Sequence, residues 1–448
     1  MTPTIRSARN EDGFALAIVV LMTTVLAILS VTLMALATNE TTRSGQNTRR
    51  EGAYQAAEAG VEDYIAKMVD NRLYYVQQVH PGEATRREPG GVTVAAGNAW
   101  IYSLTWTYPN GTDTWRTLAN GFEYSLQITP PSAADPTLRI LSTGRKTGST
   151  TEYRVVETKI RPSSLADFYR VVNGNVGWGA GATTNGKIYA NGNITHDGTA
   201  TANMYAEGSI SGSYTLVSPA QTYDSSTIRT QIKNPINFAN FVTSFVDVKS
   251  AAQSGGKYFN DATKAAWKIV FKNNGTFDVQ SCTKTGGKDV ADTAPTCGAT
   301  SNYPVPANGA IYTDQTALVS GVVNGRVTIA STVDIVIGGD ISVVSNSDDV
   351  LGLAATTDVV IAKWVGYDMS WQCSVLAQNG TWKTYTQDGS HGNMLFRGSS
   401  ATNLGGSLTM FQTRDYGYQA DLQYLPPPWF PTVEDAYTII LFRELPGT

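Results

Sequence analysis

KIYANGNI (187–194) is followed by MYAEGSI (204–210). Their cores, YANGNI and YAEGSI, agree at four of six positions, sixteen residues apart. Short β-branched and aromatic runs cut by Gly, Asn and Asp are what a stacked β-coil needs. Each coil offers a short strand to a parallel sheet, and its inward aliphatic side chains stack on those of the next coil. The same texture returns, at irregular intervals, in GAIYTD (309–314), GRVTIAS (325–331), DIVIGGDIS (334–342) and DVVIA (358–362). Residues 162–448 therefore read as a β-solenoid-like (β-helix) head, with an α+β insertion at about 237–300. In that insertion FANFVTSFVDVKSAAQ (238–253) puts Phe238, Phe241, Val242, Phe245 and Val248 on one helical face. KIVFKNNGTFDVQ (268–280) reads as a hairpin turning at Asn274-Gly275.

Outward from the head, residues 92–161 read as a small antiparallel β-sheet. FEYSLQI (122–128), LRILSTG (138–144) and EYRVVETKI (152–160) alternate apolar and polar side chains, with turn signals at 107–111 and 144–148. Before them, residues 14–37 form 24 uncharged positions, FALAIVVLMTTVLAILSVTLMALA. As a helix this run is about 36 Å long, enough to span a bilayer of about 30 Å. Helical spacing continues through Ala53, Ala57, Gly60, Val61, Tyr64, Ile65, Met68 and Val69, until His80-Pro81-Gly82 stops it. One helix over 14–80 is expected, apolar first and amphipathic later. The cluster Ala53, Ala56, Ala57, Ala59 and Gly60 permits a close neighbour.

That layout resembles the type IV pilin superfamily, and in particular PilX-type minor pilins and related pseudopilins. The residues that carry the likeness are a polar leader (1–13) ending in Gly13, Phe14 opening the apolar run, and Gln55-Ala56-Ala57-Glu58-Ala59-Gly60, similar to the QAAEAG of PilX-type stems. The ending Leu425-Pro426-Pro427-Pro428-Trp429-Phe430-Pro431 is similar to the PPxFP of that group. The resemblance implies cleavage between Gly13 and Phe14 by a prepilin peptidase and N-methylation of Phe14. It also implies a sheet packed on the C-terminal half of the stem, and a stem that meets other pilins or minor pilins. Major pilins carry Glu at the fifth mature position, where this chain has Ile18. That departure favours a minor or tip subunit over a bulk one, because an unpaired buried amine is costly. Two other readings of the N-terminus stand beside this one. Ala35-Leu36-Ala37 matches a signal-peptidase site before Thr38, and the apolar run also fits an uncleaved signal anchor.

Composition narrows the chemistry. The 448 residues suggest two or three domains; only 16% are charged, below the roughly 25% of an average soluble domain. A net charge of −4 gives no basic excess, and no specific nucleic-acid site is evident. Three cysteines exclude a disulfide-dense scaffold. Cys282 and Cys297 flank a Gly/Lys/Thr-rich loop. They either form a disulfide outside the cytoplasm or stand as two unpaired surface thiols. Gly177, Gly179 and Gly181 form a G-x-G-x-G without the strand–helix context of a phosphate loop, and Gly338-Gly339-Asp340 reads as a turn. Asp348 and Asp349 offer calcium-type oxygens but fit a solvated loop better. His80, His196 and His391 are scattered, so no catalytic residue, metal site or cofactor is expected.

The fold class expected is α+β, mostly β: a long membrane-spanning pilin-like helix (14–37 in the membrane), a small antiparallel sheet and a β-solenoid-like head with an inserted α+β segment. The function expected is a minor, tip-located pilin-like protein acting in pilus assembly or adhesion, and not an enzyme. Its partners would be other pilins, the prepilin peptidase, the inner membrane, and surface glycans or host or abiotic surfaces. It would be a single-pass membrane protein with an extracytoplasmic head, assembled into a pilus or pseudopilus at the cell surface. The alternative is a membrane-anchored or secreted β-helix enzyme acting on polysaccharide.

Overall fold

In the computed structural model, which describes residues 12–70, 85–87, 93–95, 115–129, 137–232 and 234–445, the chain divides into two units. The first is built on helix α1 (Asp12–Asp70). Its small-residue stretch is the part that packs. Ala53, Ala56, Ala57, Val61, Tyr64 and Met68 are buried, while Ile65 is half-buried. They lie against a sheet whose strands run in the order 116–117, 122–129, 138–146, 153–164, 432–445. The first four are antiparallel neighbours. Tyr124, Leu126 and Ile128 share one buried face with Ile140, Val156 and Ile160, as strict alternation requires. Gly144 sets the approach: a Cβ there would lie 2.0 Å from the Ala53 carbonyl oxygen, so only glycine lets strand and helix backbones touch. On the other face, Glu123 pairs with Arg145 at 2.7 Å, and Glu157 with Arg139 at 2.5 Å.

The expected membrane crossing is corrected here. Among the described residues no helix is long and apolar enough to cross a membrane. The helix itself is present, but its described continuation carries Glu40, Arg43, Arg49, Arg50 and Glu51 on exposed positions, and charges of this kind are excluded from hydrocarbon. Its buried stretch is spent on the sheet. The single-pass membrane placement falls with the crossing. Most side chains of the 14–37 run lie outside the described residues, as do Gly13 and Phe14, whose backbones form the first turn of α1.

The second unit, residues 161–440, is a parallel coil stack. Its first coils are three-sided. Strands 168–172, 187–190, 204–206 and 222–223 form one face; 176–178, 194–196 and 210–211 the second; 183–184, 199–200 and 215–216 the third. The sequence echo is the register itself: Tyr189 pairs with Tyr205 and Ile194 with Ile210. The chain then returns along the outside, through short turns of 3-10 helix (Ile228–Thr230, Phe238–Phe241) and helix α2 (Val242–Ser254), and builds a second set of coils. There 257–259, 310–313, 326–331, 350–355, 369–377 and 391–402 pair in parallel succession. The last of these pairs back onto the first coil, Ser400–Thr402 against Arg170–Val172. One face is therefore a continuous parallel sheet whose order is not the chain's order.

Two devices hold the stack. Asn and Asp side chains at the corners accept from a backbone N–H of the next coil: Asn193 from Ser209 (2.8 Å), Asp358 from Thr381 (2.7 Å), Asp340 from Ser370 (2.7 Å) and Asp368 from Asn393 (2.6 Å). These carboxylates and amides replace hydrogen bonds that a turn would leave unmade. Inside, Ile311, Ile329, Leu353 and Val375 stack in register. Outside, the row Tyr312, Ala330, Ala354, Leu376 and Ala401 is covered by the return segment through Phe238, Phe241, Phe245 and Val248. Val242 is exposed, against expectation. The 3-10 turn at 238–241 advances about 120° per residue and shifts the helical phase before α2 begins. The expected turn at Gly338-Gly339 is instead the interior of strand Ile335–Val343, where Gly338 fits a close contact with Leu318 and Trp364.

Candidate functional site

At the seam between the last coil and the first, only one face continues. Among the described residues, strands 176–178 and 183–184 pair on one side only, with 194–196 and 199–200, and strand 411–417 pairs only with 391–397. A cleft of about 1010 Å³ opens among these edges. It is lined by Arg170, Trp178, Trp382, Arg397, Arg414 and Tyr416, among others.

The charged groups in it are unevenly matched. Arg397 pairs with Asp415 at 2.8 Å and 3.1 Å, which holds the Asp415 carboxyl below its usual range. Arg170 is half-buried and meets hydroxyls instead: it donates to Ser400 Oγ at 3.0 Å and Thr402 Oγ1 at 3.2 Å. Burial lowers its guanidinium from the ordinary value, though arginine stays protonated. Tyr169, buried beside it, is pushed up to about 12 by desolvation. Such a cleft can hold an anionic group. Among the described residues it has no carboxylate free of an arginine and no nucleophile touching a base.

The sequence-derived candidates are distributed otherwise. Cys282 and Cys297 form a disulfide across neighbouring strands, with Cα atoms 4.1 Å apart. Asp349 is buried and accepts from Gly325 N (2.6 Å) and Ser345 N (2.8 Å), and Asp348 meets Ser345 and Ser347. Both are spoken for by the loop, and no metal-holding cluster of His, Cys, Asp and Glu occurs among the described residues. His196 is fully buried and satisfied by Thr184 Oγ1 (3.2 Å) and Gly198 N (3.0 Å). His391 opens strand 391–402, is half-buried, meets its neighbour Ser390 (3.0 Å) and lines no part of the cleft. His80 lies outside the described residues. Gly177, Gly179 and Gly181 all line the cleft, and Gly181 is a positive-φ turn residue.

Arg170 was not singled out from sequence. Its signal is there, a lone cation in the otherwise apolar strand Phe168-Tyr169-Arg170-Val171-Val172, but its partners lie some 230 positions away.

No known protein family matches the chain, and no curated protein does. Among solved structures, the chain is similar to the competence-associated pilin ComZ from Thermus thermophilus, with 12% identity over 89% of this chain and 98% of that one. The TM-score is 0.29, below that of a shared fold, so the likeness fixes neither fold nor role here.

Proposed function

We propose that the chain is a minor subunit of the type IV pilin kind, placed at a tip, whose head binds a partner and performs no chemistry. One observation carries the reading. Met22, Leu29, Val31, Leu33 and Met34 stand 51–72% exposed on α1, while the later Gly/Ala stretch of the same helix is buried on its own sheet. Apolar surface of this extent is covered in a working protein, and a helix is suited to cover by other helices. Stems of other pilin-type subunits are the partners this implies. Ile18 in place of the family's Glu favours a subunit present in few copies.

Four measurements test the reading. N-terminal sequencing of the chain from sheared filaments should begin at Phe14, after cleavage by the prepilin peptidase; a start at Thr38 would sink that processing. Quantitative mass spectrometry of filaments should find the chain scarce, and finding it the most abundant subunit refutes the minor role. A chain with residues 161–440 replaced by a Gly/Ser linker separates the two jobs. Filaments without attachment assign adhesion to the head, and absence of filaments assigns it to assembly. Release of sugar fragments from a polysaccharide panel would overturn the non-enzymatic reading in favour of a β-helix enzyme.

A further inference from the structure

Four features of the seam cleft converge. It holds three arginines, Arg170, Arg397 and Arg414, against one carboxylate, Asp415. Arg414 at its rim donates to the Phe411 carbonyl at 2.8 Å and, like Arg170, has no carboxylate partner among the described residues. Hydroxyls only partly offset the desolvation of a guanidinium, so Arg170 is short of an anion, and the exposed Arg414 adds a second cation at the mouth. Trp382 is 4% exposed, lines the same cleft, and its indole N–H has no acceptor among the described residues. Packed against Phe396 at 4.6 Å, it forms part of the cleft's apolar wall. Trp178 is half-buried with its ring stacked on His196 at 5.5 Å, a flat platform braced from behind. Finally, the edges of 176–178, 183–184 and 411–417 that have no ladder partner among the described residues present backbone N–H and C=O groups to hydroxyls.

We propose that this cleft binds an acidic oligosaccharide of the uronate class, its carboxylates held by Arg170 and Arg414 and a sugar ring lying against Trp178. At about 1010 Å³ the cleft is at the upper end of the about 300–1,000 Å³ usual for small-ligand sites, enough for more than one sugar. An acidic peptide would use the strand edges and the arginines, but its Asp and Glu side chains carry no ring to lie on Trp178. The inference deepens the binding-head reading and rests on it.

The test is calorimetric titration of the full chain with a galacturonate oligosaccharide and with its fully methyl-esterified form, in which each carboxylate loses its charge and gains a methyl group. The acid should bind and the ester should bind about tenfold more weakly or worse, since a hydrogen bond to a charged group is worth about 1.5–3 kcal/mol. Added salt should weaken the acid form. Arg170→Met should lose about tenfold for the acid and little for the ester; Trp178→Ala should weaken both. Where Arg170→Met fails to fold, Arg414→Met at the exposed rim supplies the same comparison. Equal binding of acid and ester, no binding of the acid, or tighter binding of a glutamate-rich peptide overturns the proposal. If the acid is rejected while the linker-replaced chain still separates filaments from attachment, the ligand class is wrong and the binding-head reading stands.

Discussion

His196 shows what burial does to a titratable group when the fold has no chemical use for it. Its Nδ1 accepts from Gly198 N, so Nε2 carries the proton and faces Thr184, and the ring is neutral. Desolvation lowers its pKa, and nearby Asp197 opposes this only in part. The native state then binds fewer protons than the unfolded chain at pH values between the folded value and about 6.5. Stability is fully present above about 6.5 and is lost as pH falls through that window. The urea midpoint should therefore drop from about pH 7 to about pH 5, and drop less in His196→Gln. An equal drop in both chains would assign the acid sensitivity elsewhere. Asp358 and Asp415 are also held low, by Lys383 and Thr381 and by Arg397 respectively, but as carboxylates they act below about pH 4.

Among the elements, the hairpin 266–272/276–283 is the insertion's anchor, antiparallel within itself and parallel to strand 316–323. Cys282–Cys297 closes a 15-residue span beyond it, over a Lys-, Gly- and Thr-rich loop that reaches the core through Val290 and Ala291. A closure of that length is worth about 3 kcal/mol, so the double Cys→Ser chain should lose about that much, read from denaturant midpoints. A change under about 0.5 kcal/mol would show that the loop is held without it. The elements also mark where sequence was legible. YANGNI and YAEGSI announced a coil because identical side chains stack in register, and the alternation of 122–160 announced its sheet because each face meets one environment. Val242 and Gly338-Gly339 were misjudged because a change of helical phase and a close side-chain contact are set by neighbours far along the chain. The arginine cleft was invisible for the same reason: its walls come from 169–185 and 382–417, and composition does not say which coil meets which.

At the scale of the whole head, chain order and stacking order disagree, and that has a consequence for folding. The coils 168–223 are not closed by their own sequence neighbours at the lower edge. They rest on strand 391–402, through Val171 against Ala401 and Val172 against Thr402. The loop closed by that pairing spans about 230 residues, as the Arg170–Ser400 contact shows. Contacts of such separation form late, because the entropy of ordering the intervening chain precedes any gain from the ladder. The earlier coils are also short, with strands of two to five residues, so alone they bury little. The two sets of coils should therefore gain protection together. Val171→Pro removes a ladder N–H from a strand paired on both sides and leaves a buried acceptor unpaired, at a cost of about 1–3 kcal/mol. In hydrogen exchange the variant should lose protection across both 168–223 and 391–417, and a loss confined to 168–172 would show that the coils fold as independent repeats. Joint loss would also place the cleft, which lies at this seam, among the last features of the head to form.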